Sequence, residues 1–343
     1  MGILHHDYVI RHQPLMGQAR DFAAQGLLAT EDPIDVLKRM AAMGGGEIAY
    51  LASLGAVAMG DYYLQGQQVF RLGKGMGAML ARTELNGVPV DDIQLPYKAF
   101  WVDLAELNWP IWGGELTKDH RVEGMYVVTR RDRSGHGFIW LLIWGGPNER
   151  STDKLDDAIS WATLTLRPGL DAEAAVTELV SSPLRLDQTG SVAATAVEHL
   201  ERERTLTRQA FRVAFNLALY LASPDADVEV LPTPGEQELR DKLERVKSPS
   251  KRKVIERQLS QKRKQARITL VGPRIERTLA ATVEQGDREG PRAHWVRGHW
   301  RTYWVGAGRS QQVRRWIKPF LRGAGEIEPD QTREYRFRDR GPE

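Results

Sequence analysis

From Lys98 the apolar residues of this chain stop recurring at helical spacing and gather into short aromatic and β-branched runs. That change of period limits the fold more than any other feature. KAFWVDL opens the stretch, and GMYVVTRR and GFIWLLIW follow. The last two are separated by Asp132-Arg133-Ser134-Gly135-His136, a polar segment of hairpin-loop length. WATLTL at Trp161–Leu166 closes it. Such runs need backbone partners along both edges, so residues 98–167 are expected to form an antiparallel sheet.

Helical spacing flanks the sheet on both sides. Residues 14–60 read as helices, with Asp32-Pro33 as a cap and first-turn proline and an Ala- and Leu-rich run at Ile48–Met59 that should be buried. Residues 172–222 read as helices again. The longer of them passes from the charged EHLERER to the apolar AFRVAFNLALYLA, so its second half should enter a core. Leu231-Pro232-Thr233-Pro234-Gly235 suits neither helix nor strand and marks a linker. Beyond it lie a charged helix, started by Ser248-Pro249, and a C-terminal β-hairpin. The expected class is α+β: a helical N-terminal part, an antiparallel sheet, a long central helix, a basic helix and the hairpin. The expected division is an acidic α+β domain over residues 1–230, a region over 236–322 packed on the first, and a flexible tail over 323–343.

Charge separates the two ends. Residues 1–239 hold 21 Lys and Arg against 32 Asp and Glu, a net of −11. Residues 240–343 hold 27 against 13, a net of +14, which leaves the whole chain at +3. Twelve of the basic residues lie in 240–267, among them Lys251, Arg252, Lys253, Lys262, Arg263 and Lys264. A cationic end of this kind points to an anionic partner such as ribosomal or messenger RNA. The chain has no cysteine, which excludes disulfides, thiolate metal sites and a cysteine nucleophile. No window approaches the roughly 18 apolar residues of a membrane span, and the first residues lack a basic-then-apolar leader. A cytoplasmic protein with no membrane partner is expected.

Most candidate chemistry dissolves on inspection. Gly73-Lys74-Gly75-Met76-Gly77 has the look of a dinucleotide loop, but no βαβ pattern is evident around it, so it is expected to be a flexible loop and no cofactor is expected. Asp91-Asp92 and Asp156-Asp157 sit in turn-like stretches and read as solvated acids. His5, His6 and His12 lack carboxylates in register, so no metal site is expected.

Arg292–Trp304 behaves differently. As a strand it places Val296, Gly298, Trp300, Thr302 and Trp304 on one face and Arg297, His299, Arg301 and Tyr303 on the other. Trp300 and Trp304 are expected to anchor it in a core. The following strand adds Arg314, Arg315, Trp316 and Lys318, and Gly298 leaves room for a ligand backbone beside His299. Such a face suits a phosphate or carboxylate, acid–base cleavage of RNA without a metal, or an extended peptide pairing with a free strand edge. A packed hairpin with an ordinary basic exterior would look the same.

The run Arg297-Gly298-His299-Trp300, then Tyr303-Trp304, Gly306, Arg315-Trp316 and Pro319, resembles the C-terminal signature of the second family of type V-A anti-CRISPR proteins, carried by phages and plasmids. Leu95-Pro96 with Trp101-Val102-Asp103-Leu104, and Leu219-Tyr220-Leu221-Ala222-Ser223-Pro224-Asp225, are similar to that family's first sheet strand and the end of its long helix. The chain departs from the pattern at Val296, where the family has a basic residue, and at Phe320-Leu321-Arg322-Gly323. The resemblance implies a non-enzymatic inhibitor that recognises the nascent N-terminal peptide of a type V-A effector nuclease and lowers its message and protein. On that reading Arg297, His299, Trp300, Arg301, Tyr303, Trp304, Arg315 and Trp316 bind peptide or RNA, and the basic helix contacts the ribosome or mRNA. The competing readings are a metal-independent ribonuclease and a general RNA-binding module.

Overall fold

The structure is a computed structural model that describes residues 58–62, 64–111, 120–131, 136–147, 158–181, 194–231, 235–262, 267–277, 294–296, 298–317 and 320–322. Most of the helices expected over 14–60, the N-terminal histidines, Asp156-Asp157 and the tail over 323–343 lie outside these residues; 58–60 are helical, with Ala58 and Met59 buried.

The class is α+β. The long aromatic runs do pair as read: β4 (His120–Arg131) and β5 (Gly137–Pro147) form a hairpin closing at Arg131 opposite Gly137. On either side lie β2 (Ala99–Asp103), antiparallel to β4, and β6 (Ala158–Thr165), antiparallel to β5, and β3 (Pro110–Ile111) also pairs with β4. The sheet continues past β2 through β1 (Gln68–Leu72) and β8 (Arg267–Val271) to β7 (Val228–Val230), giving the order β6-β5-β4-β2-β1-β8-β7. β1 runs parallel to both β2 and β8.

That parallel part corrects the reading of the glycine-rich loop. Residues 74–82 are not a flexible loop but α1 (Lys74–Arg82), and β1–α1–β2 is a βαβ crossover. The glycines concealed the helix. A Cβ at Gly77 would stand 2.6 Å from Leu107, so glycine lets the helix lie close to the chain leading out of β2. The amide groups at the start of α1 are already engaged, because the Glu276 carboxylate accepts N–H bonds from Gly75 (3.2 Å) and Met76. A carboxylate there satisfies orphan donors and the positive helix end together.

Alternation along β4 and β5 divides the core into two layers. Met125, Val127, Ile139, Leu141 and Ile143 face the helices, among them α2 (Ala172–Ser181) and α3 (Ala194–Leu221). As its sequence indicated, the second half of α3 is the core element: Phe211, Val213, Ala214, Phe215 and Leu217 are fully buried. The opposite face carries an aromatic layer in which Trp101 meets Tyr126 edge-on at 4.6 Å and Tyr62 meets Tyr126 at 5.6 Å.

Asp61 and Arg130 pair beside that layer, Arg130 donating two bonds of 2.6 and 2.8 Å to one carboxylate oxygen. Burial raises the Asp61 pKa above 3.8, and the attraction of Arg130 offsets only part of this. A raised folded-state pKa means the folded chain holds this proton more tightly than the unfolded one. The stability linked to Asp61 is therefore full below pH 3.8 and is lost as pH rises through the folded value. Asp61→Asn should flatten that part of the profile, so the melting temperature of the natural chain relative to the variant is expected to be higher at pH 4 than at pH 7.

The expected basic helix, started by Ser248-Pro249, is the second of two. α4 (Glu236–Arg245) and α5 (Pro249–Lys262) form a helical hairpin inserted between β7 and β8, and Arg267 already belongs to β8. The break falls at 246–248, where Pro249 opens α5.

Candidate functional site

The C-terminal residues build one interrupted two-stranded ribbon. β9 (His294–Val296) pairs with β12 (Phe320–Arg322), and β10 (His299–Val305) pairs with β11 (Gln311–Ile317). At the interruption the ribbon touches the body, where the Glu84 N–H donates to the Gly298 carbonyl at 3.1 Å. The room expected beside His299 for a ligand backbone is thus taken by the chain's own backbone, and Gly298 is buried.

Register then fixes the two faces. Inward lie Trp300 opposite Trp316 and Thr302 opposite Arg314; outward lie His299 opposite Ile317, Arg301 opposite Arg315 and Tyr303 opposite Val313. The Trp300 ring stacks on Trp316 at 6.2 Å and its indole N–H donates to Asn216 Oδ1 at 2.7 Å. Asn216, wholly buried in the apolar half of α3, donates its amide to the carbonyls of Leu80 and Thr83, both at 2.9 Å. Trp316 donates to Thr83 Oγ1 at 3.1 Å and meets Tyr220 edge-on at 5.3 Å. The Tyr220 hydroxyl accepts the Asp227 N–H, and burial pushes its pKa up. Arg314 reaches Asp92 at 2.8 Å. The end of α1, the end of α3 and the ribbon are thereby joined in one polar and aromatic network.

Two expectations fail here. Trp304 does not anchor the strand: it is 56% exposed, against 8% for Trp300. Four residues at about 3.3 Å each carry it some 13 Å toward the ribbon tip, past the body. Trp316 and Arg314 do not join the outward row either, because they sit on the inward face with Trp300. Asp91 and Asp92 are exposed, as solvated acids are expected to be, although Asp91 accepts the Gly169 N–H at 2.8 Å and Asp92 holds Arg314.

His299, Arg301 and Arg315 remain exposed together on the outward face, with Tyr303 partly covered between the two guanidiniums. Arg297 and Lys318 lie outside the described residues. On the helical hairpin Lys251, Arg252 and Lys253 are exposed, but the Arg252 guanidinium also caps α4 through the carbonyls of Leu243 (3.2 Å) and Val246 (3.4 Å). Lys262 ends α5, and Arg263 and Lys264 lie outside the described residues. Reading the sequence missed Asn216, Thr83, Glu84 and Tyr220. Only Asn216 carried a signal, as an amide inside an otherwise apolar helical run.

Among the described residues no helix is long and apolar enough to cross a membrane, and no group of three or more His, Asp or Glu is placed to hold a metal ion. No curated protein sequence matches the chain. Among solved structures it is similar in fold to one described as the crystal structure of AcrVA2, with a TM-score of 0.50 and 15% sequence identity, covering 92% of this chain and 96% of that one. The profile of the AcrVA2-like family, anti-CRISPR type V subtype A2, matches residues 70–324, from β1 through the whole ribbon. The chain belongs to that anti-CRISPR family.

Proposed function

We propose that this anti-CRISPR protein acts on production of a type V-A effector rather than on the assembled nuclease. In this reading the ribbon recognises the effector's N-terminal segment as it leaves the ribosome in the host cytoplasm, and the effector's mRNA and protein then fall. The observation that supports it is the division of the ribbon into a locked and a free face. Trp300 and Trp316 hold one side against α3, while His299, Arg301 and Arg315 stay solvent-facing on the other. A surface that must discriminate among nascent peptides has to be rigid and open together, because preorganisation reduces the ordering cost of binding. The cationic residues of α5, Lys251, Lys253 and Lys262 with Arg263 and Lys264 beyond it, supply the contact with ribosomal or messenger RNA.

Two variants separate these parts. Replacing Arg297, His299 and Arg301 together should abolish recovery of ribosomes bearing the effector's nascent chain from translating extracts, and should leave effector mRNA at its uninhibited level. Neutralising Lys251, Arg252, Lys253, Lys262, Arg263 and Lys264 should weaken ribosome association at low salt and flatten its dependence on salt, while peptide choice is retained. A normal fall of effector mRNA with both variants would overturn the assignment.

A further inference from the structure

We infer that the outward face of the ribbon is an oxyanion clamp, in which Arg301 and Arg315 share a carboxylate from an acidic side chain of an extended peptide laid along the free edge of β10. The inference rests on the peptide-reading role and names the chemistry it would select. Arg301 and Arg315 stand directly opposite each other across the ribbon. Like charges so placed repel, which is unfavourable unless an anion lies between them. Both guanidiniums gather over the Tyr303 ring, 5.3 and 5.9 Å from its centre, and no carboxylate among the described residues pairs with either. Arg314, one residue away on the other face, has its acid in Asp92. Two neighbouring guanidiniums match a planar oxyanion, each offering a fork of N–H donors.

The backbone supplies the second half of the site. Because Gly298 turns its carbonyl to Glu84, alternation directs the backbone groups of Thr302 and Trp304 to that same edge, where no described strand follows. A strand added there would place one of its side chains about 5 Å from Arg301 on the outward face. Its surroundings favour a peptide over a nucleic acid. Along the outward face the arginine pair is flanked by His299 and Ile317 on one side and by Tyr303, Val313, Val305 and Gln311 on the other, surroundings that suit one acid among largely uncharged residues, whereas a phosphate backbone needs a continuing row of cations.

Fluorescence anisotropy tests this with three labelled probes: an alternating Thr-Glu decapeptide, its Thr-Gln counterpart and a short oligouridine. The Glu peptide should bind about tenfold or more tightly than the Gln peptide, the margin expected of charge-assisted pairs. R301Q/R315Q should erase that preference while the melting temperature stays level or rises, since a repulsive pair has been removed. Thr302→Pro, which takes away an edge N–H, should weaken both peptides alike. Equal or absent binding of the two peptides to the natural chain would overturn the clamp, as would oligouridine binding more tightly and being lost in the same double variant. Nascent-chain recovery separates the two ideas: if the natural chain recovers none, the peptide-reading role fails, and if R301Q/R315Q recovers as much as the natural chain, only the clamp does.

Discussion

Trp300→Ala is expected to lower folding stability by about 3–5 kcal/mol, the usual range for emptying a buried aromatic site. Trp304→Ala, four residues along the same strand, should stay within about 0.5 kcal/mol. The two rings are chemically identical, so the difference isolates burial: 8% against 56% exposed. Losing Trp300 also removes the stacking partner of Trp316 and leaves the Asn216 oxygen unpaired, so the ribbon loses its seat on α3. Urea unfolding followed by far-UV circular dichroism reads the effect without depending on tryptophan emission. Under the proposed role the Trp300 variant should leave effector mRNA at its uninhibited level in cells, whereas the Trp304 variant reports whether the exposed ring touches a ligand. Equal destabilisation by both would mean that the ribbon is not anchored at one end.

What could be read from the sequence was what a two-residue period encodes. The split between the faces of Trp300 and Arg301 follows from alternation alone, because successive side chains on a strand must point opposite ways, and the β4–β5 hairpin follows from two continuous aromatic and β-branched runs with a short polar segment between them. The position of the body along the strand is not encoded that way. Trp300 and Trp304 share a face, and only the docking of Gly298 against Glu84 decides which of them is covered. The βαβ unit was hidden for a different reason. Gly75 and Gly77 lower helix propensity, and the helix forms because Met76, Met79 and Leu80 bury there and Glu276, two hundred residues away, caps its start. Tertiary context outweighed local preference.

The same limit applies to the cationic segment. Counting charges located it, but not the use of Arg252 as a cap for α4, which draws that residue partly out of the free basic surface. Charge composition identifies a class of partner; it does not say which cations are already engaged within the chain.

Asn216 should be the most sensitive polar residue of the network. Its amide donates to two carbonyls and its oxygen accepts from Trp300, all without solvent. Asn216→Leu keeps the volume and strands the Thr83 carbonyl and the Trp300 N–H, each of which costs about 1–3 kcal/mol when left buried and unpaired, while the Leu80 carbonyl keeps the Thr83 N–H at 3.3 Å. A loss of about 3–5 kcal/mol is expected, since partial relaxation lets some of these groups find other partners. A double-mutant cycle with Trp300→Phe tests the cause. Phenylalanine retains most of the apolar ring but has no N–H to strand, so Asn216→Leu should be about 1–2 kcal/mol milder in that background. Additive losses would instead mean that the indole N–H is satisfied without Asn216. In that case ring packing alone would orient the ribbon, and the outward arginines would owe their position to Trp316 and Tyr220 rather than to the amide of α3.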